Sequence, residues 1–190
     1  EMMDELSSAE LKLVDDVETF KTKGVSHQEA ENWLVNHPDG QEYFNSLRNS
    51  APSNISDQRV LMWAADHVKS GSNLPKKMQV DEPLIKIIPK GNNINDALHS
   101  PFLTTKEELL KAQKSGNGLW DSFGLPMKSD AFEFDIYELP PNGQATGFLS
   151  KIAPTEELGG KFKTSAGLNQ VLLPTKSSFG SFNKLGSIGG

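Results

Sequence analysis

The chain has 190 residues with a hydrophobic share of 36% and a charged share of 23%, enough to bury a sizeable core in one or two domains. It holds no cysteine, which excludes disulfides, thiol nucleophiles and zinc–thiolate sites. A net charge of -6, with Arg48 and Arg59 the only arginines, argues against a nucleic-acid backbone as the main partner, because neutralising phosphates takes clustered Lys and Arg.

No apolar run reaches the roughly 18 residues of a membrane helix, and the acidic start from Glu1 to Glu10 does not read as a signal peptide. Stable membrane insertion is therefore not expected. The opening Glu suggests a piece cut from something longer. Mean hydropathy of -0.47 leaves room for loose segments.

Residues 1–75 read as a helical module. Leu6, Leu11, Leu13, Val14, Val17 and Phe20 suggest a first helix. A second begins at Ser26, whose hydroxyl can cap while Glu29 closes the box three residues later. Trp33, Leu34, Tyr43, Phe44 and Leu47 form an apolar stripe, broken by a turn at His37-Pro38-Asp39-Gly40. A third helix runs from Ser56 through Val60, Leu61, Trp63, Ala64 and His67 and stops before Ser70-Gly71. The stretch after it, with Pro75, Lys76 and Lys77, reads as a linker over 76–82.

Beyond the linker the period changes. Leu84 to Ile88 is an expected strand stopped by Pro89, Thr105 to Gln113 a helix, and Phe132 to Leu139 a half-buried strand. Thr146 to Ile152 and Gln170 to Leu173 complete the strands, and the tail Gly186–Gly190 reads as disordered. Together these predict an α+β domain over 83–190.

Three short runs in this second region resemble the ADP-ribosyltransferase fold. Leu84-Ile85-Lys86-Ile87-Ile88-Pro89 resembles the strand whose basic residue holds a dinucleotide's phosphates. Phe102-Leu103-Thr104-Thr105 is similar to the aromatic and Ser-Thr-Ser-like run that shapes the nicotinamide pocket. Gly167-Leu168-Asn169-Gln170-Val171-Leu172-Leu173-Pro174, with Phe179 downstream, resembles the strand that carries the catalytic Glu, with Gln170 in the Glu place. Between them, Phe134 to Glu138 resembles an intervening core strand. The resemblance implies a mixed, mostly antiparallel split sheet following the helical module.

Tyr137-Glu138-Leu139, Ala153-Pro154 and Gly167 to Gln170 also resemble NAD-glycohydrolase toxins. Residues 100–174 look like the C-terminal toxin domains of polymorphic bacterial proteins of the contact-dependent-inhibition and Rhs kind. Such a likeness implies a secreted protein, delivered to the cytoplasm of a target bacterium and neutralised by a cognate immunity protein. The helical region would then stand where such toxins carry delivery modules. NAD enters as substrate, and no resident cofactor is implied.

On this reading Lys86 attracts the pyrophosphate as a point charge, less geometrically specific than an arginine fork. Thr104 and Thr105 bond the nicotinamide ribose or carboxamide, Gln170 bonds the ribose hydroxyls, and Phe102, Trp120 and Tyr137 shape the pocket or stack on the nicotinamide. Leu168 stands where transferases carry a first Glu, which favours hydrolysis over protein modification.

Each residue also has a structural reading. Lys86 can be a solvated strand lysine; Thr104-Thr105 before Glu107 and Glu108 is an ordinary helix start; Gln170 can satisfy a backbone group; Trp120 and Phe123 can be core. A ribonuclease would use His99 with Lys86 or Lys90. A protein ADP-ribosyltransferase and a catalytically silent interaction module are further alternatives. The four histidines, His27, His37, His67 and His99, lack metal-site spacing. Glu133 and Asp135 share one strand face and Glu138 the other, the pattern of a solvated face rather than of paired carboxylates.

Overall fold

The computed structural model of the chain describes residues 21–116, 118–125, 133–157, 160 and 162–189. The expected first helix over 6–20, the opening Phe132 of the expected strand and the final Gly190 lie outside them.

After a two-residue strand β1 (Lys21–Thr22) come three helices, α1 (His27–Asn36), α2 (Pro38–Ser50) and α3 (Asp57–Lys69). Ser26 caps α1 as its sequence suggests, accepting from the Glu29 amide at 3.1 Å and donating to the Glu29 carboxylate. Ser56 caps α3 through the Arg59 amide. The expected break at His37–Gly40 is a corner between α1 and α2: His37 Nδ1 accepts from the Asp39 amide, and Pro38 occupies the first turn. Gly40 is required there, because a Cβ would meet the Trp33 carbonyl oxygen at 2.0 Å.

The remaining elements are β2 (Lys76–Val80), β3 (Leu84–Pro89), a 3-10 turn (Ile94–Ala97), β4 (Phe102–Leu103), α4 (Lys106–Ser115), α5 (Gly118–Phe123), β5 (Glu133–Leu139), β6 (Ala145–Lys151), β7 (Thr155–Glu157), β8 (Phe162–Lys163), β9 (Asn169–Leu172) and β10 (Asn183–Gly189). They form three sheets, ordered β2-β6-β9-β4, β10-β5-β3 and β1-β7-β8, with every pair antiparallel. The chain is thus a mixed α+β fold with antiparallel sheets.

Strand alternation distributes the core. Phe148 and Leu172 point from the four-stranded sheet into a cluster with Ala30, Trp33, Leu34, Tyr43 and Val68 of the helices. Phe148 meets Tyr43 edge-on at 5.1 Å and Trp33 at 6.2 Å. Val171 and Leu173, one residue out of phase, enter a second cluster with Val80, Leu84, Leu103 and Phe179. A third gathers Ile85, Phe134, Ile136 and Ile152 under α4 and α5.

Two expectations are corrected here. The stretch read as a linker over 76–82 begins as edge strand β2, paired with β6 from Lys76↔Leu149 to Val80↔Ala145. Its lysines face solvent while Val80 and Met78 turn inward, so charge on an edge strand had the look of a connection. The helices and this sheet also share one core, so no free connection parts them. The Gly-rich tail, read as disordered, is strand β10 along β5; Gly186, at φ +152°, sits where the register shifts after Lys184. Among the described residues no helix is long and apolar enough to cross a membrane.

Candidate active site

Strands β3 and β4 meet at a single bridge, where Ile85 and Thr104 exchange backbone hydrogen bonds of 2.8 and 2.9 Å. Beyond it β3 runs with β5 and β4 with β9, so the two sheets part. A cavity of about 580 Å³ opens at this split, and Lys86, Phe102, Thr104 and Gln170 all line it. Four of the sequence-expected residues, from three strands, are therefore brought together.

Gln170 is a buried polar part of the wall, only 4% exposed. Its Nε2 donates to Ser70 Oγ at 2.8 Å and to Ser150 Oγ at 3.1 Å. Ser70, the C-cap of α3, in turn donates to the His67 carbonyl. Both amide protons are committed, and Oε1 has no hydrogen-bond partner among the described residues. Leaving such an acceptor dry costs about 1–3 kcal/mol. The side chain is thus held rigidly with a carbonyl oxygen, not an N–H, left for a donor.

Thr104 is buried and its hydroxyl donates to the Asn169 carbonyl at 2.8 Å, pinning β4 to the start of β9. It can offer a ligand only lone pairs. Thr105 is outside the cavity lining: its hydroxyl caps α4 by accepting from the Glu108 amide, so the helix-start reading describes it. Glu108, buried as well, accepts from the Asn169 amide at 2.8 Å and fixes the same corner.

Lys86 is half-buried. Its Nζ donates to Ser100 Oγ at 2.7 Å and to the Phe102 carbonyl at 2.8 Å. Among the described residues no carboxylate lies within ion-pair distance, and burial, with Lys176 nearby, pulls its pKa down to about 7. It is not the solvated strand lysine of the structural reading. Phe102, at the rim and 37% exposed, packs edge-on against His67 at 5.9 Å.

Tyr137 does not line the cavity. Alternation along β5 sends Phe134 and Ile136 into the third core, and the Tyr137 ring packs instead against Phe182 at 6.4 Å. Trp120 belongs to α5, and its side chain lies outside the described residues. Leu168 packs against the third core. His99 is exposed and does not line the cavity, and Lys90 pairs with Glu133 on the surface. Asp135 corrects the solvated-face reading: it is buried, accepting from Ser187 Oγ at 2.6 Å and the Gly91 amide, with Lys184 at 3.4 Å. The hydroxyl of Ser187, first, and these neighbours hold its pKa below the usual carboxylate range.

Sequence reasoning passed over Ser70, Ser150, Ser100 and Lys176. Ser70 lies 100 residues from Gln170 and reads locally as a helix end. Lys176 follows the Pro174 stop of β9 and donates to the carbonyls of Leu98 and Ser100, each at 2.7 Å. Among the described residues no three His, Asp or Glu side chains converge to hold a metal ion.

No protein-family model matches the chain, and no curated protein matches it. Among solved structures it is similar to a chain from "Rhs1-CT in complex with cognate immunity protein RhsI1", with 14% identity, a TM-score of 0.38, and coverage of 63% of this chain and 87% of that one.

Proposed function

We propose that this chain is the toxic domain of a secreted bacterial protein that hydrolyses the nicotinamide–ribose bond of NAD. The observation that carries the reading is the position of Gln170, buried in the wall of the same cavity that Lys86, Phe102 and Thr104 line. These are the residues on which the sequence resembles ADP-ribosyltransferase-fold enzymes.

Cleavage requires the dinucleotide to be held while positive charge builds on the ribose. Gln170 Oε1 accepts from a ribose hydroxyl, drawing electron density toward the ring as the bond to nicotinamide lengthens. The serine pair fixes that oxygen in advance, so little reorganisation accompanies the step. The Lys86 ammonium attracts the pyrophosphate, and Phe102 supplies an aromatic edge at the rim. Water adds to the anomeric carbon, nicotinamide leaves with the bonding pair, and the proton of the water passes to solvent. Leu168, which packs against the third core, stands where a transferase carries its first Glu, so that position supplies no carboxylate to activate a protein acceptor.

The partner that goes with this reading is a cognate immunity protein, and the place of action is the cytoplasm of a target bacterium. The test is release of nicotinamide from NAD by purified protein, with Gln170→Ala as the inactive control. A nuclease built on His99 would instead lose toxicity in His99→Ala, which this reading expects to remain active.

A further inference from the structure

Two lysines converge on one loop at the edge of the cavity. Lys86 Nζ donates to Ser100 Oγ and the Phe102 carbonyl, while Lys176 Nζ donates to the carbonyls of Leu98 and Ser100. Both ammonium groups are therefore anchored to residues 98–102, from opposite ends of the second region. Each has three N–H donors and spends two, leaving one uncommitted among the described residues.

Neither has a carboxylate within 4.0 Å among the described residues, although the chain as a whole is acidic. Packing two like charges together in a half-buried place without a counter-ion is unfavourable unless an anion joins them. We propose that Lys86 and Lys176, set on the Ser100 loop, form a seat for the phosphoanhydride of a nucleotide. The seat meets the cavity through Lys86 and Ser100, which line it, while Lys176 stands outside the lining and reaches the same loop through the Ser100 carbonyl.

This deepens the reading given above and rests on it for the identity of the nucleotide, but the anion seat itself stands on the lysine geometry. Titration supports it. Burial lowers the pKa of Lys86 to about 7, with Lys176 adding to the shift, and burial lowers that of Lys176 to about 8. His67, which burial first and then Lys176 push toward neutrality, adds no positive charge to the group. A bound anion restores the charged form of both amines, so binding at pH 8 draws protons from solution.

The experiment is calorimetric titration of the full chain with ADP-ribose, with inorganic pyrophosphate and with adenosine, at pH 8 in buffers of different ionisation enthalpy. ADP-ribose, whose diphosphate carries no titrating proton at pH 8, is expected to bind with net proton uptake, pyrophosphate to bind as a second anion, and adenosine to give no uptake. Lys176→Gln is expected to weaken both phosphate ligands roughly tenfold and to shrink the uptake, as loss of one charge-assisted contact does. Lys176→Arg keeps the charge and the bonds to the Leu98 and Ser100 carbonyls, and is expected to restore affinity. Thermal unfolding of both variants reports whether the loop stays folded.

Unchanged affinity in a folded Lys176→Gln, or binding of ADP-ribose without proton uptake, overturns the proposal. The two readings fail separately. Lys176-dependent binding of ADP-ribose by a protein that releases no nicotinamide keeps the seat and removes the reaction. Nicotinamide release with an unaltered KM in Lys176→Gln removes the seat and keeps the reaction.

Discussion

The side-chain amide of Gln170 donates to Ser70 Oγ at 2.8 Å and so ties strand β9 to the end of helix α3. The residue facing the cavity from the strands is thus positioned by the helical region. Ser70→Ala removes one of the two hydroxyls that hold the amide, and with it the bond to the His67 carbonyl. The expected cost is about 1 kcal/mol of stability. Turnover of NAD is expected to fall several-fold through kcat, with KM little changed, because Ser70 acts through the orientation of Gln170. Steady-state kinetics beside a thermal melt check this, and a wild-type kcat in the variant contradicts it.

Substitution at Gln170 itself separates shape from charge. Gln170→Ala is expected to abolish nicotinamide release while leaving the fold intact, the loss falling on kcat more than on substrate affinity. Gln170→Glu keeps the acceptor oxygen but asks Ser70 and Ser150 to donate instead of accept, which Ser70 can do only by giving up the His67 carbonyl. Burial raises that carboxyl's pKa, so partial activity is expected that grows as pH rises through its titration. A pH–rate profile measures it; activity in Gln170→Glu that is flat with pH, or full activity in Gln170→Ala, is inconsistent with the assigned role.

Much of this site was legible in the sequence, and the reasons for the misses are physical. Lys86, Phe102 and Gln170 lie in short strands bounded by Pro or Gly, and Thr104 directly follows one, where local pattern reports the strand and the strand places the side chain. The helix cap at Ser26 and the helix start at Ser56 involve contacts within three residues and were equally readable. Ser70, Ser150 and Lys176 were not readable because their partners lie 100, 20 and 76 to 78 residues away, beyond any local signal. Strand β2 was hidden by its lysines and β10 by its glycines, both ordinary at sheet edges.

Deleting residues 1–75 tests the shared core. The helices cover Phe148 and Leu172, both at most 1% exposed, so a fragment beginning at residue 76 presents an apolar sheet face to water. It also leaves Gln170 without Ser70. The expected outcome is an insoluble or loosely packed fragment with lost near-ultraviolet circular dichroism, and no toxicity in cells. A soluble, cooperatively folding and toxic fragment shows that the helices are dispensable.

Acid is expected to unfold the helical region through His67. Its Nδ1 lies 2.8 Å from the Tyr43 hydroxyl, and burial, then Lys176, lowers its pKa to about 4. A folded-state pKa below the unfolded value of about 6.5 means the unfolded chain binds more protons between those limits. This contribution is complete above pH 6.5 and is lost as pH falls toward 4, on the order of 2–3 kcal/mol in total. Denaturant melts across this window should show that slope in the wild type and a shallower one in His67→Gln. Identical slopes would place the acid sensitivity elsewhere.

Whether the cavity at the sheet split consumes NAD is decided most directly by product analysis. Purified full-length chain is incubated with NAD at pH 7.5, and free nicotinamide and ADP-ribose are quantified over time beside a folded Gln170→Ala control. Equimolar nicotinamide and ADP-ribose are expected from the wild type and neither from the variant. No release above the buffer rate by folded wild-type protein, or equal release by both, contradicts it.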